Sequence, residues 1–371
     1  VTALAHAPTT TFADPGDRTA AAPPEHRGLA RDGVRLLVGS AAGLHHTTFD
    51  QLTAHLRPGD LVVVNNSATV AAEADGHTAA GPVVVHVAAP LGAGEWVVEL
   101  RTAPAAAAPV LHAPTGTVVT LPAPADPAAR AAGRRGTGAR GAGVRLRLRE
   151  PYPRAGSSPT GAGTRLWRAH ADGPLAAHLA RYGRPVAYGY LSARWPLAAY
   201  QTVFAETPGS AEMPSAGRPF SAPLVARLVA AGVVLAPVTL HTGVSSQDAG
   251  EAPQPERFTV PPATARLVNA TRAAGGRVVA VGTTVTRALE SAADADGTVR
   301  AAAGWTELVI GPDRPVRVVT GLVSGLHNPE ASHLLLVEAV AGPTLTQRVY
   351  DAAFAAGYLW HEFGDSCLLL P

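Results

Sequence analysis

The sequence predicts an α/β protein: a layered α/β domain with a largely parallel sheet, interrupted by a small inserted antiparallel β-barrel. Three observations predict this. From about Gly173 to Pro371, apolar strand-like runs alternate with helical patterns, as in domains built on parallel sheets. Residues 70–172 hold short β-branched or alternating runs divided by Gly, Pro and Ala turns, the pattern of a small barrel. A buried strand already stands ahead of that stretch, so 1–69 and 173–371 are expected to form one discontinuous domain around the insertion.

Taken in order, a loop-rich start leads to a strand at Val34–Val38 and a short helix through Phe49–Leu56. The turn Arg57-Pro58-Gly59-Asp60 feeds Leu61–Asn65, an apolar run closed by Asn-Asn and read as a buried strand. Barrel strands are expected at Val83–Val87, Trp96–Leu100, Thr117–Leu121, Val144–Leu148 and Arg165–Ala169. Beyond them, Ser221–Ala231 is an amphipathic helix and Val233–Leu240 a strand. Pro-Pro opens a helix at Pro261–Ala274, since proline suits the first helical turn, and Gly275-Gly276 ends it. Strand Arg277–Val281, helix Thr284–Ala293 and strands Glu307–Ile310 and Val316–Val319 follow. Helices His333–Ala341 and Thr346–Ala356 and the strand Ser366–Leu370 complete the chain.

Composition narrows the function classes. The hydrophobic fraction is 47%, too apolar for a disordered chain. No stretch approaches the roughly 18 uninterrupted apolar residues of a membrane span. The start, Val1 to Phe12, lacks the basic-then-apolar pattern of a secretory signal, so cytoplasm is the expected compartment, with no membrane partner and a monomeric state. Cys367 is the single cysteine, which excludes an intrachain disulfide or a cysteine-based metal cluster. The 14 histidines show no H-E-x-x-H or comparable ligand spacing, so no metal is expected. There is no lysine, and the net charge of +2 is too small to announce a nucleic-acid binder. Distribution says more. Arg130, Arg134, Arg135, Arg140, Arg145, Arg147, Arg149 and Arg154 face a lone acid, Glu150. That cluster reads either as a solvated hairpin tip or as a contact to nucleic-acid phosphates, with Arg134, Arg135 and Arg140 as the RNA-binding candidates.

The strongest local motif is Val278-Val279-Ala280-Val281-Gly282-Thr283-Thr284-Val285-Thr286-Arg287-Ala288-Leu289-Glu290. A buried strand ends in a Gly-Thr-Thr turn and a helix starts at once. Free N–H groups at that helix start, with the threonine hydroxyls, could hold an anion or a ligand carboxylate. The turn also lies at the carboxyl end of a strand, where open α/β sheets bind ligands. An ordinary helix capped by Thr283 or Thr284 fits the same residues.

This segment resembles the V-G-T-T-x-x-R-x-L-E-S-A motif of the S-adenosylmethionine:tRNA ribosyltransferase-isomerases. Tyr200-Gln201-Thr202-Val203-Phe204-Ala205 with Pro208-Gly209-Ser210 is similar to that family's Y-Q-T-V-Y-A…P-G-S. Arg57-Pro58-Gly59-Asp60-Leu61 matches R-P-G-D-L, and Thr239-Leu240-His241 with Gly243 matches T-L-H-x-G. Arg31-Asp32 ahead of Arg35-Leu36-Leu37-Val38, His327 with Pro329, and Gly364-Asp365 extend the ordered series from about residue 30 to the end. The resemblance implies an α/β domain with an inserted β-barrel. It also implies an enzyme that moves and isomerises the ribosyl group of S-adenosylmethionine onto the aminomethyl group of a 7-deazaguanine in tRNA. Epoxyqueuosine forms, adenine and methionine leave, and no metal or redox cofactor takes part.

Such chemistry needs a base for the C5′ proton beside the sulfonium and an acid for the departing adenine. His241 and His327 are the candidates, because histidine titrates near neutrality; Glu206 and Asp365 could face a cation or an amine. Tyr200, Gln201, Gly282, Thr283, Thr284 and Arg287 are the candidates for holding S-adenosylmethionine, the last four for its methionine carboxylate. Several polar positions depart from the family. L-N-D-T-R-V reads Val64-Asn65-Asn66-Ser67-Ala68-Thr69, and P-T-A-G-L-H-F-T reads Pro214-Ser215-Ala216-Gly217-Arg218-Pro219-Phe220-Ser221. G-L-G-T-F becomes Gly243-Val244-Ser245-Ser246-Gln247. E-H-x-M-H-x-E becomes Gly250–Glu256, keeping only its final Glu, and His333 stands where a leucine is usual. Loops altered on a retained scaffold fit transfer to tRNA, transfer to a small molecule, or a paralogue that only binds.

Overall fold

The computed structural model describes residues 4–13, 16–123, 143–154, 163–244, 250–329 and 331–371. Its centre is a nine-stranded sheet in the order β15-β13-β12-β3-β14-β16-β17-β1-β2. In chain order these strands are β1 (Arg35–Ser40), β2 (Gly43–Thr48), β3 (Leu61–Asn65), β12 (Val234–His241), β13 (Glu256–Val260), β14 (Val278–Val281), β15 (Ala302–Thr306), β16 (Gly321–Gly325) and β17 (Ser366–Leu370). The parallel pairings concentrate in the middle, where β12, β3, β14 and β16 run together. β17 turns antiparallel to β16 and is joined by β1 in parallel, and antiparallel strands finish both edges.

Both faces of the middle of this sheet are covered, which explains why β3, β14 and β17 read as largely apolar, fully buried runs. Successive side chains point to opposite faces. Leu61, Val63, Val278, Ala280 and Leu369 thus enter one core, with the helices Pro262–Ala273, Thr283–Ser291, Ser332–Ala341 and Pro343–Ala355. Val62, Val64, Val279, Val281 and Leu368 enter the other, against Phe49, Phe220 and the Ala222–Ala230 helix. That last helix starts on Ser221, whose hydroxyl accepts the Leu224 N–H, an ordinary N-cap.

Between β3 and β12 the chain builds a closed barrel from β5 (Glu73–Thr78), β6 (Gly81–Gly92), β7 (Glu95–Thr102), β8 (Val118–Leu121), β9 (Val144–Pro151) and β10 (Leu166–Ala171). Helix Leu175–Tyr182 packs Leu175 and Leu179 into its core. On β9 the alternation is strict: Val144, Leu146 and Leu148 are buried, while Arg145, Arg147 and Arg149 project from the outer surface. Arg145 meets Asp172 at 2.6 Å. Arg134, Arg135 and Arg140, the expected RNA contacts, lie outside the described residues. A two-stranded ribbon, β4 (Ser67–Thr69) with β11 (Thr207–Ser210), lies where the chain passes between sheet and barrel.

Three expectations are corrected. Glu307–Ile310 and Val316–Val319 are loops, although Ile310, Val318 and Val319 are buried; their apolar residues fill the helix-side core without joining a ladder. The strands lie beside them, at Ala302–Thr306 and Gly321–Gly325. The Phe49–Leu56 helix is a 3-10 turn over Phe49–His55. Among the described residues, no helix is long and apolar enough to cross a membrane.

Candidate active site

A cleft of about 510 Å³ opens at the carboxyl ends of β12, β14 and β16, the position where open α/β sheets take ligands. Thr242 follows β12, Gly282 follows β14, and Ser324 and Gly325 end β16; all four line it. The barrel side contributes Arg101, and the segments leading back to the sheet contribute Tyr188, Tyr190 and Glu212.

The Gly282-Thr283-Thr284 turn forms one wall. Gly282 adopts φ +93°, a region costly for any residue with a Cβ, and a Cβ there would sit 3.1 Å from the Ala216 Cβ. Its N–H donates to the Val323 carbonyl at 2.8 Å, fixing the turn to the neighbouring strand. The helix Thr283–Ser291 then presents first-turn N–H groups that have no earlier carbonyl of their own helix to reach. Thr284 Oγ1 receives the Asn65 amide at 3.4 Å, and Asn65 also bonds the Leu240 N–H and carbonyl. The turn is therefore braced from both adjoining strands.

Arg287 lines the cleft, but its donors are engaged by the protein. It pairs with Glu256 and donates to the carbonyls of Leu308, Thr306 and Gln254. Its geometry makes it the anchor of the Gln254–Glu256 segment. Glu256 also accepts the Gly243 N–H at 3.2 Å; burial pushes its carboxyl up, against the pull of Arg287. The one glutamate retained from the altered 250–256 stretch is thus the partner of the motif arginine.

His327 faces the cleft from the loop after β16. Its backbone is fixed twice, by an N–H to the Tyr350 hydroxyl at 3.1 Å and a carbonyl receiving the Trp360 indole at 3.2 Å. Its ring bonds Ser324 Oγ through Nε2 at 2.9 Å and stacks on His333 at 4.9 Å and 10°. Burial, then the neighbouring His333, holds His327 well below the ordinary imidazole value; burial and Arg287 bring His333 down to about 4. Both rings are neutral at pH 7, so His327 is free to accept a proton.

The opposite wall is aromatic and acidic, and sequence reasoning missed it. Tyr188, Tyr190 and His361 form a stack, with centroids 6.1 Å and then 4.9 Å apart. The Tyr188 hydroxyl donates to Glu212 and the Tyr190 hydroxyl to Glu362, the latter at 3.3 Å. Burial, then the charge of Glu212, pushes the Glu362 carboxyl up to about 8. These five residues come from three segments, 188–190, 212 and 361–362, with no diagnostic spacing, so the sequence carried no signal for them.

The remaining candidates lie elsewhere. Asp365 does face a cation, but the cation is Arg35. It accepts the Arg35 N–H and guanidinium at 2.7–2.9 Å and the Leu359 N–H at 2.8 Å, clamping β1 to the start of β17. Glu206 is exposed outside the cleft. Tyr200 is buried against Phe363 and Gln201 bonds both backbone groups of Thr69, so the two hold β4 and do not line the cleft. His241 sits behind the floor, with Nδ1 2.8 Å from Ser67 Oγ, which in turn meets Ser210 Oγ at 2.6 Å. A Cβ on Gly209 would come within 2.5 Å of that ring, so the ring requires glycine there. Burial, then Arg257, lowers its proton affinity.

The architecture and cleft define an α/β protein with an inserted barrel and an open cleft at the carboxyl edge of its sheet. A family model described as "Queuosine biosynthesis protein" matches residues 9–369, and the chain belongs to that family. It is 35% identical over 363 residues to the S-adenosylmethionine:tRNA ribosyltransferase-isomerase of Acidiphilium cryptum, covering 96% of each chain. The same enzyme of Gloeobacter violaceus is 33% identical, over 92% of this chain and 90% of its own. A crystal structure of an S-adenosylmethionine tRNA ribosyltransferase from Thermotoga maritima is 24% identical, with a TM-score of 0.49 over 97% of this chain and 99% of that one.

Proposed function

We propose that the protein is an S-adenosylmethionine:tRNA ribosyltransferase-isomerase, moving the ribosyl group of S-adenosylmethionine onto the aminomethyl group of a tRNA-borne 7-deazaguanine and releasing adenine and methionine. Full-length similarity to relatives carrying that name supports the reading. The observation that carries it is the convergence of the Gly282–Thr284 helix start and a neutral His327 on one cleft.

The donor's carboxylate lies at the Thr283–Ser291 N-terminus, where N–H groups and the helix dipole favour negative charge. The sulfonium makes its adjacent C5′ hydrogens acidic, and His327 accepts one of them at a ring nitrogen. A neutral imidazole of lowered proton affinity is a weak base, but near neutral pH it needs no prior proton loss. Ser324 orients the ring, and stacking on His333 limits its rotation. The Tyr188–Tyr190–His361 stack offers planar faces to a purine-like base. The outward arginines of β9 place positive charge on the barrel surface, suited to tRNA phosphates.

The experiment is incubation with S-adenosylmethionine and tRNA carrying the aminomethyl-deazaguanine, followed by chromatography. Adenine and methionine released together, and only with that tRNA, is the expected result. Release without tRNA would move the acceptor to a small molecule; donor binding without release would leave a binding paralogue.

A further inference from the structure

We propose that Glu212 and Glu362, each tied to one ring of the stacked Tyr188–Tyr190 pair, bind the cationic amine of the acceptor and remove its proton. The assignment rests on the transferase reading above and names residues that the family motifs do not.

Both carboxylates line the same cleft as the Gly282–Thr284 turn and His327. Each accepts a phenolic hydroxyl, so their oxygens are held in place by rigid rings. The arginine whose field reaches Glu362 is Arg218, and its guanidinium is committed to Glu25 in a 2.9 Å ion pair. Burial and the charge of Glu212 disfavour the charged form of Glu362, while Tyr190 and Arg218 favour it. Two carboxylates recessed beside each other, without a cation of their own at Glu362, make a site that a cationic ligand completes.

Two cations could satisfy such a site, an ammonium and a sulfonium. The ammonium fits better because it has N–H donors for carboxylate oxygens, whereas a sulfonium has none. It can also react. A primary ammonium cannot attack carbon until it loses a proton. In the step proposed, one N–H bond breaks, its electron pair stays on nitrogen, and an O–H bond forms on a carboxylate of the pair. The neutral amine is then a nucleophile beside the ribosyl donor, and the pair carries the proton.

The free protein holds a proton on Glu362 at neutral pH. Bringing an ammonium into the site leaves one proton too many, so binding releases about one proton to solvent. The test is calorimetry of the full-length protein at pH 7 in two buffers of different ionisation enthalpy. The ligands are tRNA carrying the aminomethyl-deazaguanine and the same tRNA carrying the uncharged cyano-deazaguanine. Proton release with the amine and none with the nitrile is expected from the wild type. Glu362→Gln and Glu212→Gln should lose that release and lower an amine preference of about tenfold to within about twofold. Glu362→Asp should retain part of it, and the Kd for S-adenosylmethionine should stay unchanged. Equal proton release with both tRNAs, or glutamine variants that keep the amine preference, would overturn the assignment. So would variants that lose instead the preference for S-adenosylmethionine over its neutral thioether analogue S-adenosylhomocysteine, which would give the pair to the sulfonium. A wild type that neither binds these tRNAs nor releases adenine overturns the tRNA reading and this assignment together. One that releases adenine but shows no proton difference overturns the assignment alone.

Discussion

The barrel and the cleft handle buried charge in opposite ways. Inside the barrel, acids and bases are matched. His86 lies 3.1 Å from Glu73 and 3.5 Å from Glu99, Arg101 and Arg165 both reach Glu99, and Arg165 also meets Glu251 at 2.6 Å. Arg184 and Arg194 each reach Glu73 at 2.5 Å. Burial works against charge at these sites, yet His86 and Arg184 hold the Glu73 carboxyl down to about 2, and Glu73 and Glu99 hold His86 above its ordinary value. In the cleft, Glu362 is pushed up and His327 and His333 are pushed down, each toward neutrality. A region that must only persist supplies its own counter-charges; a region that must act leaves some to its ligand.

The largest expected effect falls on the barrel. Glu73→Gln removes the acid that His86, Arg184 and Arg194 share, leaving Glu99 to His86 and Asp75 to Arg184, and should cost about 3–5 kcal/mol of unfolding free energy, read by urea titration. Adenine release per folded molecule should change little. Because the Glu73 value is depressed in the folded protein, its contribution is full above the unfolded value of 4.5 and is lost as pH falls toward 2. Acid unfolding of the wild type should therefore steepen in that window, and the variant should lack the extra loss. A variant of unchanged stability would break the comparison from the barrel side.

His327→Ala tests the cleft side. It should lower kcat about a hundredfold or more and shift unfolding free energy by less than about 1 kcal/mol. Glu362→Gln sharpens the contrast further, since its sign is opposite to that of Glu73. The folded value of Glu362 is raised, so the wild type should lose stability as pH rises from 4.5 through about 8. The glutamine variant should be flatter across that range. The smallest effect belongs to the barrel surface. Arg147→Ala or Arg149→Ala should lower the slope of log tRNA affinity against log salt by about one per arginine that contacts a phosphate, without altering donor affinity.

The sequence revealed the scaffold better than the chemistry. Leu61–Asn65 and Ser366–Leu370 were legible to the residue, because both faces of the sheet are covered and such strands need unbroken apolar runs. Ala302–Thr306 and Gly321–Gly325 were not: their small residues give weak strand signals, and the neighbouring strands decide the pairing. Gly282–Thr284 and His327 were candidates in the sequence and line the cleft, because the turn is local and the motif names it. For Asp365, a candidate for catalysis, and Gln201, a candidate for donor binding, nothing in the sequence announces that Arg35 and Thr69 engage them. Tyr188 and Tyr190, Glu212, and Glu362 converge from three segments, and no spacing announces such a wall.

The account stands most directly on one measurement: adenine and methionine released from S-adenosylmethionine by the wild-type protein, with and without tRNA carrying the aminomethyl-deazaguanine. Stoichiometric release of both that depends on the modified tRNA and collapses in His327→Ala is the predicted result. An intact donor after long incubation with that tRNA, despite calorimetric binding of both, would contradict it.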